Sequence, residues 1–264
     1  MSVIHPTAIV EDGAQIGEGT EIGPYAFVGG HVTLGDGVRL FHHASVVGET
    51  RLGAGCEIHP FAHIGGDPQI LGLKAGPART EIGENCIFRE HSTVHGGSAN
   101  GRGATRIGSE CFFMVGTHIG HDGLVGNRCV LANNAIVAGH VTLGEQVWLG
   151  GHTAIHQFVR IGDHGFVGGG AILVDDVVPF GSAVGNHAEL AGVNVNGLKR
   201  RGFSRSDMAE IRKVYAELFE GEGTFAGRLQ DMQARHAHRP LARQILDFAA
   251  AEAKRPLCRP RPRR

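Results

Sequence analysis

A chain of 264 residues carrying a formal charge of -1 has room for one large domain or a domain with an appendage. Gly 42 set against 6% aromatics and a single Trp excludes a large aromatic core, the lack of a Gly-X-Y period excludes collagen, and 42% hydrophobic residues exclude a disordered chain. Lys254, Arg255, Arg259, Arg261, Arg263 and Arg264 crowd the last eleven residues without an acid, which leaves 19 bases against 26 acids elsewhere and gives no charge argument for nucleic acid as a partner. No run of eighteen apolar residues and no basic-then-apolar leader occurs, so no integral membrane segment is expected and the setting is read as cytoplasmic.

From the N-terminus the chain repeats every six residues. Ile4, Val10, Ile16, Ile22, Val28, Leu34, Leu40, Val46, Leu52, Ile58 and Ile64 are all aliphatic, and the step resumes at Ile82, Phe88 and Val94 and again, one residue out of frame, from Ile107 to Leu173. Four residues after many of them comes a small side chain, such as Ala8, Ala14, Ala26, Ala44, Cys56, Cys86, Cys111 and Cys129. Six is a multiple of the strand period of two and does not match the helical 3.6, so both columns fall on one face of short strands. A glycine follows most of the aliphatics, which predicts a backbone corner in each hexad. Strands that turn every six residues bury their apolar face only by stacking, so the predicted fold is mainly β, a solenoid over residues 1–185. The pattern resembles the hexapeptide-repeat proteins, which implies a left-handed parallel β-helix with three hexads to a turn.

Two stretches interrupt the rhythm. Residues 66–81 keep the frame but are rich in Gly and Pro, and residues 95–106 overrun two hexads by one; both read as loops leaving the solenoid. Beyond Pro179 the pattern changes. Ser204 or Ser206 is positioned to cap a helix reaching about Glu220 with an apolar stripe of Met208, Ile211, Val214, Tyr215, Leu218 and Phe219, followed by helices from Thr224 to about His236 and from Leu241 to about Ala253. The C-terminal domain over 186–254 is therefore expected to be helical, and residues 255–264 to form a disordered basic tail in which Cys258 would be oxidised without consequence. The other four cysteines read as small buried hydrophobes.

Chemistry is expected where the surface breaks its own rhythm. His118, His121, His140, His152 and His156 fall within thirty-nine residues, and imidazole is a general base near neutral pH. Asp122 and His140 are eighteen residues apart, one turn above the other if a turn holds eighteen residues. A carboxylate beside an imidazole fixes its tautomer and stabilises the imidazolium. Metal is not expected: no two of the 17 histidines stand five apart, the spacing of the solenoid carbonic anhydrases.

The runs His118-Ile119-Gly120-His121-Asp122, Val125-Gly126-Asn127-Arg128-Cys129, Ala138-Gly139-His140-Val141, His156-Gln157-Phe158, Gly185-Asn186-His187-Ala188 and Asn194 through Ser204 resemble the UDP-N-acetylglucosamine O-acyltransferases over nearly the whole chain. The resemblance implies transfer of an R-3-hydroxyacyl group from acyl carrier protein to the glucosamine 3-hydroxyl of the nucleotide sugar, the first step of lipid A synthesis. It assigns His121 as general base, Asp122 as its orienting partner and Gly139 N–H as the oxyanion donor. His118, His140, His156 and Gln157 would line the substrate cleft, Asn194, Arg200 and Arg201 would serve the nucleotide and phosphopantetheine, and Gln69 and His187 would also bind substrate. Gly169, at the end of the acyl groove, leaves room for a longer chain. No cofactor is implied, since the acyl-phosphopantetheine arrives on its carrier, and a homotrimer with clefts between subunits is expected.

Two departures bear on the acceptor. Gln69-Ile70-Leu71-Gly72 stands where relatives carry Gln-Asp-Leu-Lys, with Asp67 or Lys74 as conceivable substitutes, and Asn196 replaces a usual Glu; a 3-amino analogue of the sugar thus stays open as acceptor. The other readings are the N-acyltransferase that acts later in lipid A synthesis, which would carry a further domain before its repeats, a coenzyme A-dependent acetyltransferase, which would lack the joint His-x-x-His-Asp and Leu-Lys-Arg-Arg-Gly-Phe-Ser motifs, and a non-enzymatic scaffold on which the histidines are incidental.

Overall fold

The structure, a computed structural model, describes residues 1–73, 76 and 78–260; Lys74, Arg261, Arg263 and Arg264 lie outside them. Among the described residues, twenty-eight short strands form three faces of eleven, nine and eight strands. Each hexad supplies one strand, and successive turns pair in parallel at eighteen residues, as in Val3↔Glu21, Ile9↔Phe27 and Gln15↔Thr33. The aliphatic column fills the interior, with Val28, Val46, Ile58, Leu131 and Leu149 fully buried, and the small column packs beside it, with Ala44, Cys56, Cys86 and Cys129 equally buried. Each such aliphatic contributes roughly 1.5–3 kcal/mol by leaving water.

The glycines act differently from the corner role expected of them. A Cβ on Gly17 would stand 2.4 Å from the carbonyl carbon of Gly35 one turn on, so the glycine is there for close stacking. The left-handed backbone at the corners falls largely on other residues, among them Asp122, His140 and Phe158 with φ of 59°, 62° and 67°.

Both interruptions leave from one corner, between the second and third faces. His63 pairs with Thr93, thirty residues on, and Thr93 with His118, twenty-five on, so the excursions insert twelve and seven residues into the eighteen-residue turn. Twelve is two hexads, which is why the first loop keeps the aliphatic frame in the sequence although the chain has left the solenoid.

Residues 186–254 are not wholly helical. The strands Gly181–Val184 and Glu189–Val193 close the end of the prism as an antiparallel hairpin, and a short helix α1 (Val195–Arg200), unforeseen in the sequence, follows with Asn194 as its cap. Three longer helices match the expected ones: α2 (Arg205–Glu220), α3 (Phe225–His236) and α4 (Pro240–Ala250). Ser204 and Asp207 form a capping box on α2, whose Met208, Ile211, Val214, Tyr215 and Leu218 are buried. Tyr215 donates its hydroxyl proton to the Pro179 carbonyl at 2.6 Å, fastening α2 to the last coil.

The tail as far as Pro260 is ordered, contrary to its basic composition. Leu257 and Pro260 bridge to Asp176 and Leu190, and Cys258 is 1% exposed with its thiol donating to the Ala188 carbonyl. Backbone pairing and thiol burial outweigh the solvation of its charges. Burial pushes the Cys258 thiol up to about 12, which keeps it protonated and resistant to oxidation.

Candidate active site

The corner that throws out both loops also carries the histidine cluster. His121 is 9% exposed and Asp122 fully buried, and the His121 Nδ1–H donates to Asp122 Oδ2 at 2.8 Å. An ionised carboxylate only accepts, which places the ring proton on Nδ1 and leaves Nε2 as a free acceptor. That nitrogen lies against Gly139: a Cβ there would stand 2.5 Å from it. The Gly139 N–H has no acceptor among the described residues. A ring nitrogen free to accept and a backbone N–H without an acceptor thus belong to neighbouring residues.

The second loop, residues 96–103, wraps Asp122. Its carboxylate accepts from the Ser98 hydroxyl at 2.7 Å and from the backbone N–H groups of Ser98, Arg102 and Gly103. Burial alone would raise this carboxyl, but the bonds from Ser98, His121 and Arg102 prevail and hold it below the usual range. The Arg102 guanidinium spans the next turn, donating to the carbonyls of Asp122 and His140 and to Thr142 Oγ1. Ser98 and Arg102 escaped the sequence reading; the one hint was a single arginine in a Gly- and Ser-rich loop.

His140 stands edge-on to His121 at 4.9 Å and stacks on Phe158 at 4.7 Å. Burial lowers its proton affinity, Asp122 opposes this, and His121, Arg102 and Lys254 add to it. His118 shares its Nδ1 with Thr93 Oγ1 at 2.8 Å and stands edge-on to His95; burial, then His95 and His121, depress it to about 4. His118, His121, Gly139 and His140 therefore cluster as expected, with Phe158 and His95 as unforeseen neighbours. His121, Asp122 and His140 offer donor atoms within 4.8 Å of one another, the one such group among the described residues. The Asp122 Oδ2 is already committed to Ser98 and His121, so the group fits a hydrogen-bonded dyad better than a metal site.

Other expected residues lie elsewhere. Gln69 is exposed in the first loop, beside Leu71 at 103% exposure. Asn194, Arg200 and Arg201 gather at the corner between the third and first faces, not at the His121 corner. There Asn194 accepts from Gly197 N–H and donates to the His164 carbonyl, Arg201 donates to the Gln146 carbonyl at 2.6 Å, and Arg200 lies over Trp148. His187 is exposed near the hairpin turn. Within one chain these residues do not join the cluster. Gly169 differs from its neighbours: Gly170 has φ of +70° and a Cβ on Gly168 would stand 3.0 Å from Val184, whereas at Gly169 nothing lies within 3.4 Å, so neither conformation nor crowding forbids a side chain there.

Residues 176–258 match the family described as UDP N-acetylglucosamine O-acyltransferase, domain 2. An acyl-[acyl-carrier-protein]–UDP-N-acetylglucosamine O-acyltransferase of Azorhizobium caulinodans is 46% identical over 98% of this chain and 96% of its own length, and that of Agrobacterium fabrum is 44% identical over 97% and 95%. The chain belongs to this acyltransferase family. Among solved structures, the UDP-N-acetylglucosamine acyltransferase of Campylobacter jejuni superposes with a TM-score of 0.91 at 35% identity, covering 98% of this chain and all of its own. The solenoid is the left-handed parallel β-helix of the family, and the protein is an acyltransferase enzyme. No helix among the described residues is long and apolar enough to cross a membrane.

Proposed function

We propose that this acyltransferase moves an R-3-hydroxyacyl group from acyl carrier protein to the 3-hydroxyl of UDP-N-acetylglucosamine, the first step of lipid A synthesis. The observation that carries the reading is the His121–Asp122 pair, with Nδ1–H held and Nε2 open beside Gly139. His121 Nε2 takes the proton of the sugar hydroxyl as its oxygen attacks the thioester carbonyl. The developing oxyanion is met by Gly139 N–H, an aligned donor that needs no reorganisation. The carbon–sulfur bond then breaks, and the proton on His121 passes to the departing pantetheine sulfur. No covalent enzyme intermediate and no cofactor enter. His118, His140, His156, Gln157 and Gln69 line the sugar side, and Asn194, Arg200, Arg201 and His187 of a neighbouring copy in a homotrimer complete the cleft. Lowered proton affinity at His118 and His140 keeps both neutral beside the base.

A mass-spectrometric transfer assay with a panel of 3-hydroxyacyl carrier proteins tests this against UDP-N-acetylglucosamine and its 3-amino analogue. The expected result is an ester product that falls by about 10²–10⁴-fold in His121→Gln. Product from the amino sugar alone would trace the change to Ile70 and Gly72; no product from either would refute the reading.

A further inference from the structure

After α4 the chain returns to the prism as a strap. Asp176 N–H donates to the Pro256 carbonyl at 2.8 Å, Cys258 N–H to the Asp176 carbonyl at 2.7 Å, and Leu190 N–H to the Arg259 carbonyl at 3.0 Å. Asp176 is itself fixed, fully buried and held by Arg160 Nε at 2.7 Å. The strap brings two cations onto the corner His156-Gln157-Phe158. Arg255 Nε donates to the Gln157 carbonyl at 3.0 Å, its Nη2 reaches His156 Nδ1, and Lys254 Nζ sits 4.0 Å above the Phe158 ring. Phe158 in turn stacks with His140.

The chemistry of the first contact is one-directional. A guanidinium has five N–H donors and no acceptor, so His156 Nδ1 must offer its lone pair. The nearby Gln157 carbonyl, 3.3 Å from Nδ1, only accepts and is served by Arg255 Nε. With Nδ1 as acceptor, the ring proton of His156 sits on Nε2. We infer that Arg255 is a positioning residue: it locks His156 as a fixed Nε2–H donor at the cleft, aimed at an acceptor oxygen of the nucleotide sugar. This role rests on the function proposed above, but the lock itself does not.

The test uses the full-length chain. In the wild type, long-range imidazole spectra of the 15N-histidine-labelled protein show His156, identified by its loss in His156→Ala, as a single Nε2–H tautomer; in Arg255→Gln they show tautomer exchange. In transfer kinetics Arg255→Gln loses about tenfold in kcat/KM, chiefly through KM, as expected for one charge-assisted hydrogen bond acting through binding. Arg255→Lys, which keeps one donor, loses less. In a His156→Ala background the same Arg255→Gln change costs nothing further, because its effect runs through the missing ring. Additive losses, or an unchanged His156 spectrum in Arg255→Gln, would overturn the inference. Were the wild type inactive in transfer, the function would fail while the spectra still decided the lock.

Discussion

Gly139→Ala isolates the geometry of the base. The added Cβ would stand 2.5 Å from His121 Nε2 and 2.6 Å from Cε1, where ordinary contact begins at 3.4 Å, so the ring must move by about 0.9 Å. It has no easy retreat, being tied to Asp122 at 2.8 Å and faced by His140 at 4.9 Å. A displacement of about 1 Å at a reacting group costs on the order of 10²-fold in rate. Gly139 has no left-handed φ, so the backbone accepts alanine, and the smaller unfolded-state entropy is worth about 0.4–1 kcal/mol towards stability. Transfer should therefore fall about a hundredfold in kcat while calorimetry finds the melting temperature within a few degrees of wild type. Activity within threefold of wild type would refute the placing of His121 Nε2 at the reacting oxygen, and a collapse of the melting temperature would refute the claim that the clash is local.

Gly169→Met should fold normally, because nothing lies within 3.4 Å of its Cβ, and should favour shorter acyl chains. Competition between carrier-bound chains would read this as about tenfold or more for each methylene excluded; unchanged preference would remove Gly169 from the groove. Acid should weaken the fold through His118, whose folded-state value of about 4 lies below the ordinary 6.5. Its stabilising contribution is complete above pH 6.5 and is lost as pH falls towards 4, about 3 kcal/mol in all. Denaturant titrations should show that slope, and His118→Gln should flatten it; an equal slope in both proteins would contradict the burial argument.

The solenoid was legible because one physical requirement, a strand face buried on its neighbour every eighteen residues, repeats along the chain and marks each hexad. The helices were legible for a similar local reason: Ser204 with Asp207, and Thr224 with Gly227, sit where caps must. What escaped depends on contacts between distant segments. The first loop, by contrast, was legible only from its Gly and Pro, since twelve inserted residues leave a six-residue frame intact. The tail looked solvated because its composition is basic, yet Leu257 and Cys258 have specific partners 70 to 81 residues earlier in Asp176 and Ala188.

The site divides the same way. His121 and Asp122 are adjacent in sequence, and the dyad was readable from residue chemistry and likeness together. Its support was not, because Ser98 and Arg102 reach Asp122 from a loop that no period describes. That arrangement has a physical logic. A repeating coil gives each corner the same shape, and only an insertion can make one corner unlike the rest. The seven-residue excursion places a hydroxyl and three backbone N–H groups around one carboxylate, enough to keep it ionised although fully buried. An ionised Asp122 is what holds the His121 proton on Nδ1. The irregular loop therefore sets the protonation state that the regular coil only positions.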